Sequence, residues 1–152
     1  MSDYALILGV SSGIGAACAK ELASNKINII GLYMRKPKKD IEYLKESISS
    51  HNVDCQLIKM NACNYEQMES LLSSSDFKNI KIKVLIHSLA FGSMKPFIGE
   101  DNAKMINKKN IDMTIDVMSN SLIYWTQSLY KNNLLKKGSQ IIAMTSSGGR
   151  KQ

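Results

Sequence analysis

A doubly wound parallel α/β sheet of about five strands, three layers deep (α/β/α), is the fold this sequence predicts. Three observations carry the prediction. Short apolar runs alternate with longer amphipathic ones along the whole chain. Several of the short runs end in glycine or small polar residues. The first of them passes through a glycine-rich turn into a helical pattern. Alternation of this kind builds βαβ units, whose right-handed crossovers place helices on both faces of a parallel sheet.

The elements follow in order. "YALILGV" (4–10) is a continuous apolar run ending in glycine, as suits a strand buried on both faces. "GIGAACAKELASN" (13–25) is a helix with Ile14, Ala17, Cys18, Glu21 and Leu22 at helical spacing and with Lys20 and Glu21 toward solvent. "INIIGLY" (27–33) is the second strand. "KKDIEYLKESISSH" (38–51) puts Ile41, Leu44 and Ile48 on one face, with Asp40 as the expected N-cap after Pro37. "CQLIKM" (55–60) is the third strand, and "NYEQMESLLSS" (64–74) a helix with Met68, Leu71 and Leu72 inward. "IKVLIHS" (82–88) is the fourth strand. A long helix over 110–133 carries Ile111, Ile115, Met118, Leu122, Trp125 and Leu129 as one apolar stripe, and "QIIAMT" (140–145) is the fifth strand. The connection from Leu89 to Lys109 is long for such a unit, and long connections are often functional.

Composition bounds the function classes. The chain has 152 residues, 44% hydrophobic and 22% charged, enough for one domain with its own core. No apolar run reaches the length of a membrane span, and the N-terminus lacks the basic region and cleavage site of a signal peptide. Cys18, Cys55 and Cys63, with His51 and His87, share no metal-ligand spacing, so thiols in a reducing cytoplasm are expected and no metal. The net charge is +7, but the lysines are scattered and no basic stripe alternates with aromatics, which argues against nucleic acid.

In doubly wound, Rossmann-like sheets ligands bind at the carboxyl ends of the strands, so the strand ends hold the candidate site. After the first strand, "LGVSSGIG" spaces Gly9, Gly13 and Gly15 as G-x-x-x-G-x-G. A tight turn, a phosphate approaching the backbone and a helix packed close to a strand each need a glycine, and the helix then offers N–H groups and a positive dipole end. Ser11 and Ser12 add hydroxyl donors. Without G-K-[ST] the loop is no nucleoside-triphosphate P-loop. The second strand ends in Tyr33, Met34, Arg35 and Lys36, with no acid to read a ribose 2′-hydroxyl. Arg35 and Lys36 suit a 2′-phosphate, so NADP(H) is expected over NAD(H). Asn61 can bond an adenine edge and Ala62 can offer backbone groups. His87, at the end of the fourth strand, has no visible partner in the sequence and reads as structural.

These residues resemble the short-chain dehydrogenase/reductase family: "LGVSSGIG" after strand one, "VLIHSLAFG" at strand four and "IIAMTSSGG" at strand five, in the family's order over the whole chain. "HSLAFG" looks like the enoyl-acyl-carrier-protein reductase branch, which reduces the double bond of acyl chains in fatty-acid synthesis. Most members carry Asn-Asn-Ala-Gly there and an Asn in the long helix where this chain has Met118 and Ser119. The resemblance implies that Gly9, Ser11, Ser12, Gly13, Ile14 and Gly15 hold the pyrophosphate and its ribose. It implies that Asn61 and Ala62 meet the adenine, that Ser88, Leu89 and Ala90 line the nicotinamide ribose, and that Met144 lies behind the nicotinamide. Ser146 aligns with the family's catalytic serine; the enoyl branch often has tyrosine there, so Ser146 suits a 3-ketoacyl or other carbonyl reductase better.

The family's Tyr-x-x-x-Lys pair has no match within these residues and falls beyond Gln152. The chain is therefore expected to be the N-terminal, cofactor-binding part of such an oxidoreductase, with its sheet incomplete on the C-terminal side and little turnover alone. A non-catalytic cofactor-binding module is the rival reading, and a fragment of a longer enzyme is a third. The resemblance also implies an acyl-thioester or other small-molecule substrate and a homo-oligomer.

Overall fold

The computed structural model describes residues 2–101 and 104–145, and within them the predicted architecture forms. The strands are β1 (Ser2–Leu8), β2 (Asn28–Tyr33), β3 (Cys55–Lys59), β4 (Ile80–His87) and β5 (Leu135–Ala143). The helices are α1 (Gly13–Ser24), α2 (Lys38–Ser49), α3 (Tyr65–Leu72), α4 (Lys108–Ile115) and α5 (Ser121–Lys131). A short 3₁₀ turn, Ser75–Phe77, precedes β4. All pairings are parallel, in the order β3-β2-β1-β4-β5. The order reverses between β1 and β4, which makes the gap beyond their carboxyl ends the switch point.

Strand alternation sorts β1 between two cores. Tyr4, Leu6 and Leu8 pack with Met68, Leu72, Phe77, Trp125 and Leu129, the α3 and α5 side. Ala5 and Ile7 pack with Ala19, Ala23, Leu44 and Ile48, the α1 and α2 side. Both faces of the strand are thus buried, the reason its sequence is a continuous apolar run rather than an alternating one.

Four expectations are corrected. In α1 the inward residues are Gly15, Ala19 and Ala23, while Ile14 and Ala17 are exposed; small residues let the helix lie close on the sheet. In α2 the N-cap is Pro37 and Asp40 stands in the first turn, where a carboxylate still meets the positive end of the helix. β5 begins at Leu135, with a pairing irregularity opposite Ile82 and Val84.

The fourth correction concerns the long helix. It is two α-helices joined by a π-helical turn, Asp116–Asn120. One additional residue turns a helix by about 100°, so a stripe written at α-helical spacing changes face there. Trp125 and Leu129 are fully buried, whereas Ile111, Ile115 and Met118 are exposed.

Candidate functional site

The carboxyl ends of the strands open on one cavity of about 590 Å³. Backbone hydrogen bonds carry the ladder past the strand ends to its rim. Gly9 and Val10 N–H both donate to the Leu32 carbonyl at 3.0 Å, and Ser88 N–H donates to Leu8 at 2.9 Å. Met60 N–H donates to Tyr33 at 2.9 Å, and Met144 N–H to His87 at 3.0 Å. These bonds hold the residues that follow the strands in fixed positions around the opening.

The glycine loop forms one wall. Gly13 has φ 55°, and a Cβ built on it would meet no atom within 4 Å. That residue faces open space in the cavity and can accept a group pressed against its backbone. Gly15 acts from behind: its Cβ would fall 2.1 Å from the Gly9 carbonyl oxygen. Ser12 is the N-cap of α1 without a side-chain capping bond. The first-turn N–H groups have no intrahelical acceptor and sit at the positive end of the dipole, as an anionic group requires.

Across the opening, the Arg35 guanidinium lies 5.1 Å from the centroid of the Phe91 ring, linking the end of β2 to the segment after β4. Asn61 Oδ1 accepts from Cys63 N–H at 3.0 Å, and the Ala62 carbonyl accepts from Trp125 Nε1–H at 2.8 Å, so that carbonyl is already engaged. Cys63 also lines the cavity, but burial, helped by the charge of Asp116, raises its pKa to about 11. It is a thiol at neutral pH, not a nucleophilic thiolate.

Of the sequence-predicted site residues that the structure describes, all but two line the cavity. Gly9, Ser11, Ser12, Gly13, Ile14, Arg35, Asn61, Ala62, Ser88, Leu89, Ala90 and Met144 all line the cavity. Gly15 is buried against Gly9, and Lys36 is outside the lining although Arg35 is in it. Ser146 lies outside the described residues. Sequence reasoning missed Phe91 and Val117, both in the lining. Phe91 was findable, standing directly after the small residues of strand four; Val117 was not, because the π-turn decides where it points. His87, read as partnerless, bonds Ser121. Among the described residues no cluster of His, Cys, Asp and Glu could hold a metal ion. No described helix is long and apolar enough to cross a membrane.

Residues 9–152 match the protein family described as Enoyl-(Acyl carrier protein) reductase. The chain belongs to the short-chain dehydrogenase/reductase family. Solved structures agree on the fold. A short-chain dehydrogenase/reductase from Serratia marcescens superposes with a TM-score of 0.77 at 18% identity, covering 99% of this chain and 58% of that one. Carveol dehydrogenase from Mycobacterium avium, solved in complex with NAD, gives 0.77 at 17% identity, with 99% and 56% covered. Serine dehydrogenase from Escherichia coli gives 0.69 at 20% identity, with 100% and 65% covered. The chain thus spans less than two thirds of each of these relatives. In this short-chain dehydrogenase/reductase the cavity stands at the fold's switch point, with the glycine loop on one side and the π-turn on the other.

Proposed function

We propose that residues 1–152 are a single NAD(P)-binding domain of an NADPH-dependent enoyl-acyl-carrier-protein reductase, acting in the cytoplasm on acyl thioesters in fatty-acid synthesis. The observation that carries the reading is the cavity itself: it gathers an N–H-rich helix start, a floor at Ser88–Ala90 and a guanidinium at the β2 end around one volume. A bound nicotinamide dinucleotide would supply the hydride. The chain's own residues bind and orient. Gly13 and the first turn of α1 cradle the pyrophosphate, Ser11 and Ser12 add hydroxyl donors, and Asn61 reads the adenine edge. Arg35 forks onto the 2′-phosphate. Met144 and Leu89 shield the nicotinamide end from water. Ser146 is the proposed polarising hydroxyl. The proton of the reduction needs a Tyr-x-x-x-Lys pair, which residues 1–152 do not contain, so this chain alone binds cofactor with little turnover.

The 2′-phosphate preference rests on Arg35 and on the lack of an acid among Tyr33, Met34, Arg35 and Lys36. Titration followed by nicotinamide fluorescence tests it. NADPH should bind more tightly than NADH, and Arg35→Ala should weaken NADPH by roughly tenfold or more while moving NADH little. Equal affinity for both dinucleotides in the unaltered chain overturns the preference. Rapid NADPH oxidation by this chain with a crotonyl thioester overturns the statement about turnover.

A further inference from the structure

We propose that His87 is a positioning residue for the cavity, holding the π-turn Asp116–Asn120 in the register that sets Val117 and Met118 in the cavity wall. His87 closes β4, paired between Leu8 and Ala143, and is 2% exposed. Its Nε2 lies 2.8 Å from Oγ of Ser121, which is 0% exposed. The Ser121 hydroxyl has one proton and donates it to the Val117 carbonyl at 2.9 Å. It therefore accepts from His87, and the neutral imidazole carries its proton on Nε2.

The backbone explains why the relay is needed. Ser121 N–H reaches back five residues to the Asp116 carbonyl instead of four to Val117. The Val117 carbonyl loses its α-helical donor, and the Ser121 hydroxyl replaces it. His87 then ties that hydroxyl to the end of β4. A second tie comes from α3, where Tyr65 Oη donates to Asp116 Oδ1 at 2.9 Å and the Tyr65 ring meets Tyr124 edge-on at 4.8 Å. Both ends of the π-turn are thus fixed to neighbouring elements, and the residues between them include Val117 and Met118 of the cavity lining. Relaxation of the turn to α-helix would rotate those side chains by about 100°.

The binding arm of the test rests on the dinucleotide reading above; the structural arm does not. Variants His87→Leu, His87→Gln and Ser121→Ala are compared, glutamine carrying an amide donor that can replace Nε2–H. Methyl resonances of Val117 and Met118, recorded without ligand, should move in His87→Leu and Ser121→Ala and stay near the unaltered positions in His87→Gln. NADPH affinity should fall roughly tenfold in His87→Leu and be largely restored in His87→Gln. The double variant His87→Leu/Ser121→Ala should be no worse than the worse single one. Unmoved Val117 and Met118 methyls in a folded His87→Leu protein overturn the proposal, as do equal affinity losses for leucine and glutamine. If the unaltered chain binds no dinucleotide, the dinucleotide reading falls and the methyl readout alone decides the role of His87.

Discussion

An aspartate at Gly13 would place a carboxylate in the open space where the glycine loop meets the cavity. It would repel a pyrophosphate and strain a backbone held at φ 55°. Gly13→Asp should abolish measurable dinucleotide binding in a fluorescence titration while leaving a folded circular-dichroism spectrum. Gly15→Ala acts differently, because its Cβ would meet a backbone carbonyl at 2.1 Å and something must shift. A stability loss of about 1–3 kcal/mol is expected from urea denaturation, with binding weakened as a consequence of the displaced loop. Both glycines were legible in the sequence because a glycine loop between strand and helix is a local pattern. The partner of His87 was not: Ser121 stands 34 residues away, and nothing local joins the two.

Among the elements, α5 is fixed by Trp125. Its ring is fully buried between α3 and the sheet, and its Nε1–H holds the Ala62 carbonyl at the cavity rim. Trp125→Ala should cost about 3–5 kcal/mol in urea denaturation. Trp125→Phe keeps most of the volume but takes the donor from the Ala62 carbonyl, and should lose about 1–3 kcal/mol. If Ala62 meets the adenine, both variants also weaken NADPH. The burial of Ile41, Leu44 and Ile48 in α2 was readable from spacing alone, since an uninterrupted α-helix keeps its period. The stripe from Ile111 to Leu129 was not, because the period itself changes at the π-turn, and that change is held by side chains from α3 and β4. The early start of β5 escaped for a similar reason. "LKKGSQ" has little strand character, and pairing with β4 imposes it.

At the scale of the whole molecule, stability should depend on pH through His87. Burial lowers its pKa below the ordinary 6.5, opposed in part by the backbone carbonyls of Val117 and His87. Between the lowered value and 6.5 the unfolded chain holds a proton that the folded one does not. Stability therefore rises with pH through that window, and the contribution is complete above it. Urea midpoints taken from about pH 7 down to about pH 5 should fall more steeply for the unaltered chain than for His87→Gln. Parallel slopes would show that the histidine does not carry this part of the acid sensitivity.

The α/β class, the parallel sheet, the glycine loop and most of the cavity lining follow from the order of the amino acids. Each depends on short-range order: apolar runs of strand length, helical spacing, and residue types that must stand where a strand ends. The strand order β3-β2-β1-β4-β5, the place of Lys36 outside the cavity while Arg35 lines it, and the place of Val117 and Met118 in the cavity wall through a π-turn come from the tertiary structure. Those outcomes arise from contacts between residues tens of positions apart, His87 with Ser121 and Tyr65 with Asp116 among them. The α period breaks where these contacts hold the chain, and no window along the sequence contains both partners.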